Sequence, residues 1–236
     1  MNEFNYHNIF DTKGTEYLLT IVFFAILIPF WMILNKQVKV KEQIKHVLGV
    51  LTAGILNIPR GLFYNRNHTW IYMEKSGVAK VGIDDLLQHL TGSVQIKQIK
   101  NQGETIKKGE KIVEFSQNGK ALKITSPISG KLVKLNDVIL ENPSILNTDP
   151  YNEGWICSVE PTDWKNDTGN CYLAEDAVKW AAKEIDRFKD FVAFSLKKHL
   201  PDYSLVALQD GGELKDNTLS ELPEEIWHDF QKEFLD

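Results

Sequence analysis

The 236-residue sequence predicts a mainly β domain, a small barrel or sandwich, set between an N-terminal transmembrane helix and a C-terminal α-helical extension. Three observations carry that prediction. Tyr17 to Leu34 holds no charged side chain, which is the lower limit of what crosses a bilayer core. From Phe63 to Val159 short strand-forming runs alternate with turn residues, the mark of a small all-β architecture. From Ala174 onward apolar residues recur at intervals of three and four, which is the helical period.

Residues 1–16 form a polar tail. Glu3, Asp11 and Glu16 stand where a cleaved signal peptide would be basic, and no small-residue cleavage site follows the apolar run 17–34. A retained membrane helix is therefore expected, with Tyr17 and Trp31 near its ends as interfacial anchors. Pro29 is tolerable inside such a helix. Its N-terminal flank has only Lys13, whereas Lys36, Lys39, Lys41 and Lys45 follow it. Basic flanks stay in the cytoplasm, so the expectation is a single-pass protein of the cell inner or plasma membrane with its C-terminal domain cytoplasmic. Segment 35–58 is basic, then amphipathic. Within it Val47 to Ile58 is too short to span and predicts a helix lying on the inner leaflet, or packed on the domain or on a partner.

The domain proper is expected over 59–164. Trp70–Met73 and Val78–Val81 flank the turn Lys75-Ser76-Gly77, and Asp84–Leu90 reads as a short helix capped by Asp84 or Asp85. Further strands are predicted at Val94–Ile99, Gly130–Leu135 and Trp155–Val159. Between Ile112 and Thr125 two runs meet at Asn118-Gly119. That pair is the strongest short-range hairpin signal, because a type I′ turn needs positive φ at both central residues. Lys120 directly follows the turn, and the alternation Ala121 to Ile124 leaves open which sheet face it takes. The extension 165–236 begins with a polar, Gly-containing stretch, 165–171, read as a linker. Ala174–His199 predicts a long helix with Ala177, Val178, Ala181, Ile185, Phe188, Val192 and Leu196 on one face, stopped by Pro201. Asp210-Gly211-Gly212 reads as a turn, and Pro223–Leu235 as a second amphipathic helix with Ile226, Trp227, Phe230 and Phe234 on one side. Two such helices either clamp the barrel or offer an apolar stripe to a partner.

Charge and chemistry narrow the function. Residues 165–236 hold 9 basic and 16 acidic side chains, a net −7, while residues 63–164 are neutral with 12 of each. With no basic stripe, nucleic acid is excluded as a partner. Cys157 and Cys171 lack metal-ligand or redox spacing and are read as reduced thiols, so no metal site is expected. His68 is read as a packed, hydrogen-bonded structural residue, and Trp70 and Trp155 as core anchors. No nucleophile–base pair, phosphate-cradling loop or carboxylate pair is visible, so no catalytic residue is assigned and an enzyme is not expected.

Residues 58–164 resemble the glycine cleavage system H protein. The resemblance is carried by Ile58-Pro59 with Gly61-Leu62-Phe63-Tyr64, Asn67-His68-Thr69-Trp70-Ile71, Val81-Gly82-Ile83-Asp84-Asp85, Ser126-Pro127-Ile128-Ser129-Gly130 with Asn136, and the closing block Glu141-Asn142-Pro143 through Asn147-Thr148-Asp149-Pro150-Tyr151 to Gly154-Trp155-Ile156. It implies a lipoyl/biotinyl-like barrel-sandwich hybrid whose hairpin turn bears a lipoylated lysine. The family spacing from Gly109-Glu110 and from Pro127 falls on residue 119, which here is glycine; Ser116 stands where the family has a glutamate, and Val-Lys-Ala has become Asn118-Gly119-Lys120. The carrier residue thus looks replaced. The expected function is a membrane-tethered module without lipoate, a structural or docking subunit of a cytoplasmic-face membrane complex, with the bilayer and the subunits of that complex, by analogy a redox complex, as partners. The other reading is a genuine carrier holding lipoate on Lys120, anchored beside a membrane enzyme.

Overall fold

The computed structural model describes residue 14 and residues 16–31, 51–200 and 214–236. It forms two units, Met1–Leu48 and Gly49–Asp236. The described part of the first unit is a helix, α1, over residues 16–31, with every side chain exposed. Among the described residues no helix is long and apolar enough to cross a membrane. The end of the predicted span, residues 32–34, and the basic stretch after it lie outside the described residues, as does the predicted turn Asp210-Gly211-Gly212.

The second unit is built on two antiparallel sheets. One runs β1 (Phe63–Tyr64), β2 (Thr69–Met73), β3 (Ala79–Ile83), β9 (Trp155–Pro161), β8 (Gly130–Leu135) and β5 (Thr105–Ile106) in spatial order. The other places β6 (Lys111–Gln117) between β4 (Gln95–Gln98) and β7 (Lys120–Thr125). Strand alternation turns Ile71, Val81 and Ile83 of the first sheet and Phe115, Leu122 and Ile124 of the second into one continuous buried cluster. Each strand expected of the barrel or sandwich is thus present, and two short ones not foreseen, β1 and β5, join the first sheet at its edges. Helix α2 (Asp85–Thr91) starts as expected, with Asp84 Oδ1 accepting the Leu87 N–H at 2.9 Å. Short helices α3 (Asp137–Glu141) and α4 (Ile145–Thr148) fill the β8–β9 connection.

Several expectations need correction. The described part of the Val47–Ile58 segment, from Leu51 on, is turn and coil and not an interfacial helix. Leu51 is buried in the core and gives its N–H to the Leu214 carbonyl at 2.7 Å, so its backbone bonds run across the chain and not along a helix. The stretch 165–171 is not a free linker: α5 (Trp164–Thr168) sits on the barrel, with the Ser129 N–H on Asp167 Oδ2 at 2.6 Å and Trp164 edge-on to Phe63. Trp70 is a buried anchor whose indole lies over Gly82. Trp155 is half-buried: it packs against the cluster that holds Trp70, and the Lys80 and Lys134 ammonium groups stand 5.5 and 5.8 Å from its ring.

The long helix α6 (Ala174–His199) has the predicted length, but Trp180 and Phe191 join its buried face while Val178 is exposed. After it come α7 (Thr218–Glu221) and α8 (Glu224–Phe230), then a π-helical turn, Gln231–Leu235. The single helix expected over Pro223–Leu235 therefore widens at its end, which turns both Phe234 and Leu235 inward with Ile226, Trp227 and Phe230. Phe188 and Phe191 of α6 and Phe230 and Phe234 of the tail form one aromatic cluster.

His68 joins these layers. Its ring is fully buried, stacked between Trp180 and Phe234 at 5.4 and 5.9 Å. Nδ1 lies 2.8 Å from Asp84 Oδ2, and Nε2 faces Glu184 Oε2 at 3.7 Å. Arg187 pairs with Glu184 at 2.9 Å, hydrogen-bonds the Glu233 carbonyl, and lies 4.1 Å from the Phe234 ring. Burial pulls the imidazole pKa down, but Asp84 and then Glu184 outweigh it and raise it to about 9. Burial likewise works to raise the Glu184 carboxyl, and His68 and Arg187 override it and hold it low. The structural reading of His68 thus matches a ring that is packed on both faces and hydrogen-bonded to Asp84, with Glu184 facing its other nitrogen.

Two predictions follow from this packing. A Cβ at residue 130 would run into the Glu160 carbonyl of the paired strand, so Gly130→Ala should lower the urea unfolding free energy by about 1–3 kcal/mol. Because the folded His68 pKa lies above the unfolded value, its contribution is fully present below about pH 6.5 and is lost as pH rises through about 9. Urea titrations across that window should show stability falling by on the order of 3 kcal/mol, and His68→Gln should flatten the profile.

Candidate functional site

The hairpin turn has the geometry its sequence demands. Asn118 and Gly119 take φ values of 50° and 82°, the paired positive angles of a type I′ turn, and Gln117 stands opposite Lys120 across the ladder. A Cβ at Gly119 would meet open space. Ser116 pairs with Ala121. The turn is rigid and its tip is clear, yet the residue at the tip has no side chain to present.

Lys120 begins β7. Side chains two apart share a face, so Lys120 lies on the side of Leu122 and Ile124, both fully buried, and Ala121 and Lys123 point the other way. Its side chain therefore leans toward the interior at the end of the sheet, where the C-terminal helices have extended the core. The Lys120 Nζ donates to the Ser220 carbonyl at 2.6 Å and to the Leu222 carbonyl at 2.9 Å, and lies 4.9 Å from the centre of the Trp227 ring. Helix α7 ends at Glu221, so the ammonium caps the carbonyl end of that helix, where a cation is favoured. Trp227 is itself fixed by an Nε1–H bond to the Leu219 carbonyl at 2.6 Å. Burial lowers the Lys120 pKa from its ordinary value.

The same tail follows β7 along its open edge. Gln231 meets the backbone of Lys123 with both ends of its amide: Oε1 accepts the Lys123 N–H at 2.7 Å and Nε2 donates to the Lys123 carbonyl at 3.1 Å. A side-chain amide here stands in for a neighbouring strand. Farther along, the Thr125 hydroxyl reaches the Leu235 carbonyl at 3.4 Å. A cleft of about 290 Å³ remains between hairpin and tail, lined by Gly119, Lys123, Glu224, Trp227 and Lys232 among others.

A lipoyl group must hang on an amide nitrogen that swings free of its protein. Gly119 supplies no amine, and the Lys120 amine is spent on two backbone carbonyls. The hairpin as it stands does not fit that group. Cys157 is buried, its thiol pushed up to about 12 by burial, and Cys171 is half-buried with its thiol raised for the same reason; both are free. Among the described residues no three His, Cys, Asp or Glu side chains are arranged to hold a metal ion. Sequence reasoning missed the bond between Lys120 and the tail. The signal was present in the period-2 pattern Lys120-Leu122-Ile124, which puts the lysine on the apolar face.

Comparison with known proteins agrees with this architecture. The family model described as glycine cleavage H-protein matches residues 62–184, more than half of the chain and reaching into α6. A glycine cleavage system H protein of Anaeromyxobacter sp. (strain K) is 35% identical over 111 residues, covering 47% of this chain and 86% of that protein. One from Myxococcus xanthus is 36% identical over 113 residues, covering 48% and 87%. A crystal structure of a glycine cleavage system H protein from Mycobacterium marinum is 28% identical, with a TM-score of 0.47, and covers 52% of this chain and 98% of its own. Carrier proteins of this kind are not themselves catalysts, and the two sheets with their hairpin are the lipoyl-type domain. The chain belongs to the glycine cleavage H-protein family.

Proposed function

We propose that this chain is a membrane-tethered H-protein-like module that has given up lipoate and serves as a structural or docking subunit of a membrane complex on the cytoplasmic face, by analogy a redox complex. One observation carries the reading: the family's carrier position falls on Gly119, and the neighbouring Lys120 has its amine bonded to Ser220 and Leu222. A shuttling carrier needs a mobile arm, and neither residue offers one. Tethering is supported by the uncharged run Tyr17–Leu34 and by the lysines that follow it. It is also supported by exposed Phe23, Phe24, Ile26 and Phe30 on α1, since such a surface calls for lipid or an apolar partner. A tether has little use for a soluble shuttle and much for a fixed subunit.

The second reading, a true lipoyl carrier modified at Lys120 and anchored beside a membrane enzyme, is favoured by the family membership and by a lysine standing one residue from the tip.

Intact mass of the chain purified from its native membranes separates the two. The unmodified mass is expected; a lipoyl increment that disappears in Lys120→Arg would establish the second reading. Gly119→Lys is expected to gain that increment when produced with a lipoate ligase, because the space around the tip is open. The positive φ at 119 would cost that variant about 1 kcal/mol. Recovery of the wild-type chain in the membrane pellet after a high-salt wash, together with co-purifying subunits in mild detergent, is expected. A chain that washes free as a monomer would end the tethered-subunit proposal.

A further inference from the structure

We propose that the C-terminal strap, Thr218 to Leu235, is a built-in block that keeps Lys120 from being acylated. This deepens the non-carrier reading and rests on it: Gly119 accounts for the missing arm, and the strap accounts for why the adjacent lysine does not replace it.

Acylation requires the amine to approach an activated acyl carbonyl with its lone pair free. The N–C bond forms, the bond from carbonyl carbon to leaving group breaks, the leaving group departs with the electron pair, and a proton leaves the nitrogen. The approach is what the structure obstructs here. Two N–H groups of Lys120 are held by the Ser220 and Leu222 carbonyls, and the Trp227 ring stands over the nitrogen. Reaction would break both bonds and leave two carbonyls at the end of α7 without their donor, a cost that rises with burial. The side chain cannot simply rotate outward, because its place on β7 aims it at the face shared with Leu122 and Ile124.

The block extends beyond the amine. Gln231 occupies the backbone of Lys123 on the open edge of β7, and the Leu235 carbonyl takes the Thr125 hydroxyl. An enzyme that grips the returning strand of the hairpin to position its lysine finds the strand already engaged by the chain itself. The strap is held by its own core: Ile226, Trp227, Phe230, Phe234 and Leu235 are all buried. Its hold is therefore independent of Lys120, as a block requires.

The test is acetylation of the full chain with a small amine-reactive ester, read lysine by lysine by peptide mass spectrometry. Lys97, Lys111 and Lys123 are exposed on the same three strands and serve as internal standards. Lys120 is expected to react roughly tenfold more slowly than these or slower still. In Trp227→Phe, which keeps an aromatic ring in the core but loses the indole and its bond to Leu219, the Lys120 rate should rise toward the standards. Trp227→Ala should raise it further. Cys157, buried in β9, reports the fold through its silence toward a thiol reagent. If the alanine variant exposes Cys157, the phenylalanine variant decides. A wild-type Lys120 as fast as the standards overturns the block, as does a slow Lys120 that neither folded variant releases. Fast Lys120 in a chain of unmodified native mass would leave the non-carrier reading standing, whereas a native lipoyl increment would overturn that reading instead.

Discussion

The buried contact between His68 and its two carboxylates is the constraint on which the C-terminal half of the structure depends. A charged imidazole in an apolar interior is tolerable only with its partners in place. Those partners come from three parts of the chain: Asp84 caps α2, Glu184 lies on α6, and the ring faces are covered by Trp180 and Phe234. His68 also takes a left-handed backbone conformation, with φ at 57°, which persists only where the surroundings over-determine it. Removing Asp84 would leave the ring only the longer contact to Glu184 at 3.7 Å, and removing Trp180 or Phe234 would uncover one of its faces. The barrel, the long helix and the tail are consequently fixed together at one point, and Arg187 repeats the tie from the other side of Glu184 through Glu233 and Phe234.

The state of the hairpin follows from that fixture. With Phe234 pinned on His68 and Phe230 packed on Phe188, the tail passes β7 at hydrogen-bonding distance. Its preceding turn brings the carbonyl end of α7 over the start of the strand. Lys120 then has a choice between water and two half-buried carbonyls at the end of α7. For a lysine on the inner face the second is the partner within reach, and it satisfies two acceptors at once. A side chain whose counterpart in a carrier must swing freely is here immobilised as a helix cap.

Much of this fold was legible before the structure, and the reason is local. Asn118-Gly119, Asp84 before its helix, and the three-four spacing in Ala174–His199 are decided within a few residues, and each took the form expected. The errors are of another kind. Asp167 reads as part of a polar linker, whereas it accepts the Ser129 N–H from across the fold. Leu51 was placed in a helix because its neighbours are apolar, whereas its backbone partner is Leu214. In each case the deciding contact joins residues far apart in sequence, which no window of composition can hold. The site divides the same way: the tight turn at Asn118-Gly119 is visible in the sequence alone, but the bonding of Lys120 depends on carbonyls 100 and 102 residues downstream.

Those two features are physically independent. Glycine at the tip removes the arm without disturbing the turn; it improves the turn, since residue 119 must hold a positive φ. The strap closes the flank without touching the tip, where a Cβ would still find open space. On the non-carrier proposal, neither position offers a mobile arm. Neither feature weakens the barrel, because the inward faces of β6 and β7 remain Val113, Phe115, Leu122 and Ile124 as the core requires. The extension lays an acidic, helix-clad surface along the β7 edge of the hairpin.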